Sequence, residues 1–295
     1  MPRTLVSLGA NLGNVRESML AAKRLLVDEF GESNVRLSRL YRTPPVGGPI
    51  GQGDFLNAVA ALETDLSIWQ VWESIKWIET TLGRQRQQRW EARRIDIDLL
   101  LYDQQRVWTP HLKVPHPRMC MRTFVLIPAA EIVSDWIDPV TLWSIAQLRD
   151  HLKTSEGTDA PIRILCEDED LQAALQRTLA NAKGTARIPV SWEIRNRVQL
   201  STANAGSSVT KVPSKLTIAA VASPDPETIL WEDYSQPWLP LLNLSPTSHV
   251  DRPIALGSID GPRYLMPADD PVWTVHEILA ANSAMQCQVD PLCDF

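Results

Sequence analysis

The chain has 295 residues, 44% hydrophobic and 22% charged, with a formal net charge of −6. That length admits two domains of ordinary size, and the composition is that of a soluble globular protein. An acidic balance excludes a general nucleic-acid binder, which needs basic surface to release counterions. No run approaches the roughly 18–20 apolar residues of a membrane span. The four cysteines lack C-x-x-C spacing, which indicates neither a zinc site nor a disulfide scaffold. Met1-Pro2-Arg3-Thr4 leads into a strand-like segment without an apolar leader, so the expected location is the cytoplasm.

Thr4–Ala10 reads as a short strand that ends in the turn Gly9-Ala10-Asn11-Leu12-Gly13-Asn14. Those glycines invite a phosphate-loop reading, but a strand-to-helix turn with a polar cap explains them more simply. Val15–Phe30 shows helical spacing and Val35–Arg42 alternates as a strand. Thr43–Gly53 is punctuated by Pro and Gly and reads as a long loop. Phe55–Asp65 returns to strand patterning, Ile68–Leu82 is a helix, and Ile95–Tyr102 is a strand. The order β-α-β-β-α-β gives an α+β class with a ferredoxin-like domain. Helices about Arg118–Ile132 and Trp136–Lys153 are expected to close it. The first domain is therefore 1–153, with a linker at 154–161.

Beyond the linker, strands are expected at Ile162–Cys166, Val190–Val198 and Leu216–Ala222, with extended pieces at Pro253–Leu256 and Arg263–Met266. Helices are expected at Asp168–Lys183 and about Pro271–Met285. This alternation reads as a small α/β domain over 162–295. It carries no G-x-G-x-x-G and no Walker loop, and 160–295 reads as dispensable for chemistry in the first domain.

The most informative stretch is Arg93-Arg94-Ile95-Asp96-Ile97-Asp98-Leu99. Side chains at i and i+2 of a strand share a face, so Asp96 and Asp98 stand together and repel unless a cation intervenes. A hard divalent ion with oxygen ligands, Mg²⁺ first among them, is the simplest remedy. Just upstream, the cationic run from Gly83 to Arg94 suits a polyphosphate. Carboxylates for metal and arginines for phosphate together suggest phosphoryl or pyrophosphoryl transfer from a nucleotide. The plainer alternative is a solvent-facing acidic pair bridged to surface arginines.

Four separated motifs carry a resemblance. Tyr41-Arg42-Thr43-Pro44-Pro45-Val46-Gly47, Asp54-Phe55-Leu56-Asn57-Ala58-Val59, Arg94-Ile95-Asp96-Ile97-Asp98-Leu99, and Val114-Pro115-His116-Pro117 with Arg122-Thr123-Phe124-Val125-Leu126 stand in order. Over about 1–153 the chain resembles the 6-hydroxymethyl-7,8-dihydropterin pyrophosphokinases of folate biosynthesis. The resemblance implies that Asp96 and Asp98 hold two Mg²⁺ ions bridging the phosphates of ATP, the co-substrate. Asp96 also orients or deprotonates the attacking hydroxyl. Arg84 and Arg93 clamp phosphate, and Trp90 belongs to a lid that excludes water. Thr43, Pro45, Val46 and Asn57 read the pterin edge, and Phe55 and Phe124 stack on its faces. Glu79, Leu99, His116 and Arg122 complete the ATP side.

There are departures from the family pattern. The 83–90 loop is one residue shorter than the familiar bacterial form, and Ala92 replaces a common proline. Lys76, Gln87, His111 and Lys113 also differ from the usual residues, which bears on ATP affinity rather than on the reaction. The expected partners are small molecules, ATP and the pterin, with a protein partner for the C-terminal domain and neither nucleic acid nor membrane. The rival readings are a degenerate pterin- or ATP-binding regulatory protein and an ATP-dependent enzyme for another alcohol.

Overall fold

Residues 1–49, 51–84, 92–109, 111–154, 162–166, 168–182, 190–194, 215–221, 263–267 and 270–295 are described by the computed structural model of the chain. It falls into two units. The first comprises Met1–Gln105, Val114–Arg149 and Ser283–Phe295, and the second comprises Arg106–Lys113 and Asp150–Asn282.

The first unit is built on an antiparallel sheet. Its strands are β1 (Arg3–Ala10), β2 (Val35–Leu37), β3 (Tyr41–Thr43), β4 (Phe55–Glu63) and β5 (Asp96–Tyr102). β1 lies between β4 and β5, and both β2 and β3 pair with β4. Leu5, Val6, Leu8 and Ala10 are all buried, as befits a central strand covered on both faces. Helices α1 (Val15–Phe30) and α2 (Ile68–Thr81) pack on these strands.

α1 starts where Asn14 accepts the Glu17 amide at 3.4 Å and stops at Gly31, whose φ of 88° leaves the helical region. It buries Met19, Ala22, Leu26 and Phe30, a helical stripe. Ser67 and Gln70 close a reciprocal capping box at the head of α2. Such a cap contributes about 1 kcal/mol.

The strand expected over Val35–Arg42 is broken. Ser38 accepts the Val59 amide through its hydroxyl and donates its own amide to the Val59 carbonyl, which satisfies the ladder through a side chain and parts β2 from β3. The expected helix over Trp136–Lys153 is also shorter, since only α4 (Ile145–Lys153) is helical. Asp138 accepts the Val140 and Thr141 amides and the Thr141 hydroxyl, and Leu142 adopts φ 60°. This side-chain turn competes with a helix in 138–144. α3 covers Thr123–Val133, after a 3₁₀ turn at Met119–Met121.

β6 (Val107–Trp108) and β7 (Lys113–Val114) pair as a two-stranded ribbon. In the second unit, β8 (Ile162–Cys166), β9 (Val190–Ile194), β10 (Leu216–Val221) and β11 (Arg263–Pro267) form a parallel sheet in the order β11-β10-β8-β9. Asp168 caps α5 (Glu169–Asn181), accepting the Leu171 amide at 2.7 Å, so the acidic run there serves a helix start. The expected segments at 155–161, 195–198 and 253–256 lie outside the described residues. Among the described residues no helix is long and apolar enough to cross a membrane. The chain is thus a mixed α/β protein.

The end of the chain departs from the expected division. α6 covers Pro271–Met285 and β12 covers Asp290–Pro291. Residues Ser283–Phe295, assigned by the sequence to the second domain, belong instead to the first unit. The physical reason is the open edge of β3, which β12 pairs antiparallel.

Candidate active site

Three cross-strand pairings bring the predicted residues into one row. Tyr41 of β3 faces Asn57 of β4, Asn57 faces Gly9 of β1, and Gly9 faces Asp96 of β5. Directly paired residues project to the same side of a sheet. In the next rows Ser7 faces Asp98, and Thr43 faces Phe55. Asp96, Asp98, Asn57, Phe55 and Thr43 therefore share one face. Tyr41 joins them, and its hydroxyl donates to Glu131 of α3 at 2.6 Å.

Gly9 is thus a strand residue and not part of a turn. A Cβ there would lie 3.2 Å from Asn57 Oδ1 and 4.0 Å from the Phe55 ring. Its bare backbone keeps a space between the amide of Asn57 and the carboxylate of Asp96. Sequence reasoning missed this role, and the signal was a glycine inside an otherwise apolar strand pattern, which marks close approach.

The charges are concentrated at β5. Arg84 and Arg93 both pair with Asp96, Arg84 Nη2 lying 2.6 Å from Oδ1. Arg84 also pairs with Glu79, which is almost fully buried and accepts the Ile97 amide at 2.8 Å. Lys76 reaches the other oxygen of Glu79 at 3.0 Å. Glu79, expected on the ATP side, therefore anchors Arg84 to the start of β5. Arg122 Nη1 lies 3.2 Å and His116 Nε2 3.6 Å from the same oxygen of Asp98.

The two carboxylates are held differently. Burial and then the charge of Asp98 push the Asp96 carboxyl up, with Arg93 and Arg84 only partly offsetting them. Burial also pushes Asp98 up, but His116 and Arg122 outweigh it and hold that carboxyl well below the usual range. Burial lowers His116 to about 3, with Asp98 restoring only part. The Arg118 amide donates to His116 Nδ1 at 3.1 Å, so the neutral ring carries its proton on Nε2, toward Asp98.

Asn11, set aside in the sequence as part of a turn, clamps the segment that carries Arg93. Its side-chain oxygen accepts the Arg93 amide at 2.8 Å, its backbone amide donates to the Arg93 carbonyl at 3.0 Å, and its Nδ2 donates to Gln52 at 3.2 Å. On the other side of the row, Asn57 is buried and its Nδ2 donates to the Thr43 hydroxyl at 2.9 Å. Phe55, Phe124, Pro45 and Val46 are partly exposed, and the Arg122 guanidinium lies 5.6 Å from the centre of the Phe124 ring. Leu99 is buried, and by strand alternation its side chain points away from Asp96 and Asp98. Any contact it makes with a nucleotide is through its backbone. Trp90 lies outside the described residues, as do 85–89 and 91.

The donor set fits Mg²⁺. Asp96 Oδ1 is enclosed and, among the described residues, takes no aligned hydrogen bond. No cluster of three or more His, Cys, Asp or Glu suited to a metal occurs among those residues. Two carboxylates alone suit an ion that completes its shell with water and substrate phosphate.

Paired carboxylates on one sheet face, flanked by arginines and joined through a bare glycine to an amide-bearing strand, are an arrangement suited to group transfer from a phosphorylated co-substrate. The family model described as 7,8-dihydro-6-hydroxymethylpterin-pyrophosphokinase (HPPK) matches residues 5–134. The chain is 36% identical over 144 residues to the 2-amino-4-hydroxy-6-hydroxymethyldihydropteridine pyrophosphokinase of Synechocystis sp., covering 49% of this chain and 73% of that protein. It is 35% identical over 149 residues to the Haemophilus influenzae enzyme of the same name, covering 50% of this chain and 92% of the relative. The Pseudomonas aeruginosa enzyme of that name is 40% identical over 134 residues, covering 45% of this chain and 82% of the relative. The chain belongs to the HPPK family, whose members are pyrophosphokinases and hence transferases. A crystal structure of Plasmodium falciparum HPPK-DHPS aligns with a TM-score of 0.38 at 12% identity, over 76% of this chain and 57% of that one. That likeness is too slight to carry an argument.

Proposed function

We propose that the chain transfers pyrophosphate from ATP to the hydroxymethyl oxygen of 6-hydroxymethyl-7,8-dihydropterin, releasing AMP, as a step of folate biosynthesis in the cytoplasm. The observation that carries this reading is the row Asn57–Gly9–Asp96. It sets an amide able to read a heterocycle edge one strand away from each side of a bare glycine, with a carboxylate opposite. Family membership supplies the reaction class.

In this reading Asn57, Thr43, Pro45 and Val46 hold the pterin edge, between Phe55 and Phe124. Asp96 orients the hydroxymethyl group and receives its proton as the oxygen bonds to the β-phosphorus. The bond from that phosphorus to the α,β-bridging oxygen breaks, and AMP leaves. Arg84 and Arg93, now paired with Asp96, turn their planar donor forks to the phosphates. Arg122 and the Nε2–H of His116 meet phosphate beside Asp98. Asp96 and Asp98 would hold two Mg²⁺ ions, which supply charge neutralisation at the attacking and leaving oxygens when bound.

The first unit is read as ferredoxin-like, supported by the strand order β3-β4-β1-β5 with α1 and α2 between strands. The second unit is read as an appended α/β module that meets a protein partner.

The test is turnover with ATP, Mg²⁺ and 6-hydroxymethyl-7,8-dihydropterin, following nucleotide products. AMP that forms only with pterin present supports the proposal. ADP would indicate single phosphoryl transfer, and pterin binding without any nucleotide product would indicate a degenerate binding protein.

A further inference from the structure

α3 begins without the usual side-chain cap. Its cap residue is Arg122, which makes no capping hydrogen bond, because a guanidinium has no lone pair to offer the first helical amides. That side chain is turned instead to Asp98, 3.2 Å away. Three consecutive residues at this helix start therefore have separate duties: Arg122 beside the carboxylate pair, Phe124 in the pterin reading, and Thr123 between them. The Thr123 hydroxyl is hydrogen-bonded to the carbonyls of Ala284 at 3.0 Å and Cys287 at 2.9 Å, 161 and 164 residues away in sequence. A hydroxyl has one proton, so the two carbonyls share it and hold the helix start from outside the helix.

Those carbonyls are themselves held in place. β12 extends the sheet at β3, where Asp290 faces Arg42 and Pro291 faces Tyr41. The Leu292 amide donates to the Leu40 carbonyl at 2.8 Å, and the Leu40 amide to the Cys293 carbonyl at 3.2 Å. Lys23 of α1 donates to the main-chain oxygen of Phe295 at 3.0 Å. The Cys287 sulfur lies 3.9 Å from the carbonyl oxygen of Pro44, the residue between Thr43 and Pro45. All of these residues belong to the first unit. One short segment thus ties the strand that carries Thr43 to the helix start that carries Phe124.

We propose that Thr123 is a positioning residue for the pterin: seated on the carbonyls of Ala284 and Cys287, it fixes the first turn of α3 and thereby where the Phe124 ring meets the heterocycle. The segment 284–293 is then a working support of the pterin site. It takes the place of the cap that Arg122 gives up in reaching Asp98. Arg122 keeps that second anchor when the turn loosens, so the loss falls on Phe124 and on the pterin rather than on ATP. The inference rests on the pterin reading given above.

The test uses the full chain and the variants Thr123→Val, Thr123→Ser, Leu292→Pro and Ser67→Ala, with steady-state constants measured for both substrates. Thr123→Val keeps the size of the side chain and removes its proton. It is expected to raise the pterin KM by about three- to tenfold, the effect of one hydrogen bond, with the ATP KM and kcat within about twofold. Thr123→Ser restores the pterin KM. Leu292→Pro deletes the amide that bonds Leu40, at an exposed edge position where proline is tolerated, and raises the pterin KM in the same direction. Ser67→Ala removes the cap of α2, outside the residues assigned to either substrate, and leaves that KM unchanged. An unchanged pterin KM in Thr123→Val or Leu292→Pro overturns the proposal, as does an equal rise in both KM values. A Ser variant as impaired as Val, or the same rise in Ser67→Ala, overturns it too. Wild-type protein that neither binds nor turns over the pterin overturns the underlying reading itself.

Discussion

Gly9 and Asn57 face each other across β1 and β4 so closely that a methyl group on Gly9 would lie 3.2 Å from the Asn57 amide oxygen. Asn57 has little freedom to retreat, since it is buried and bonded to Thr43. Gly9→Ala is expected to raise the pterin KM about tenfold, within the roughly 1–3 kcal/mol that overpacking costs, while ATP affinity changes little. Kinetics with each substrate varied in turn check this; an unchanged pterin KM removes the space argument.

Asp98 is the counter-ion of Arg122 and faces His116. Asp98→Ala removes one of two metal carboxylates but also relieves its repulsion with Asp96. The rate of AMP formation is expected to fall by about three orders of magnitude or more, while melting shifts by only about 2–4 °C. Turnover close to that of the wild type would remove Asp98 from the metal site.

Glu79 combines near-complete burial with three partners, the Ile97 amide, Arg84 and Lys76. Glu79→Gln keeps an acceptor for the amide and loses the charge. The expected cost is about 1–3 kcal/mol of stability, read from the denaturant midpoint, with a several-fold rise in the ATP KM as Arg84 loses its anchor. If stability falls and the ATP KM does not move, Glu79 supports the fold alone.

The Cys287 thiol is pushed up to about 11 by burial. The folded state therefore keeps a proton that the unfolded chain releases above its ordinary value of about 8.5. This contribution to stability is present below that value and is lost as pH rises through about 11. At pH 8, iodoacetamide is expected to modify the exposed Cys293 well before Cys287. Peptide mapping over a time course distinguishes the two, and equal rates would contradict the shift.

Legibility in the sequence followed the range of the forces involved. α1 matches its expected bounds because a local cap and a repeating apolar stripe specify it. The shared face of Asp96 and Asp98 follows from strand alternation alone. Ser38 and Asp138 broke an expected strand and helix because a side chain took the place of a backbone partner, which hydropathy does not register. The clamp of Asn11 on Arg93 joins positions 82 residues apart, and nothing local announces it. β12 is two residues long and exists only because β3 offers an edge. Its pairing could not be read from Asp290 and Pro291 themselves.

That last pairing sets a schedule for synthesis. Arg42 leaves the ribosome well before Asp290, with the whole of the second unit's sheet translated between them. The edge of β3 must wait through translation of the entire intervening module. Nascent chains of this protein therefore carry an exposed strand edge for longer than a chain folding domain by domain, a period in which chaperone capture competes with mispairing between neighbouring polypeptides.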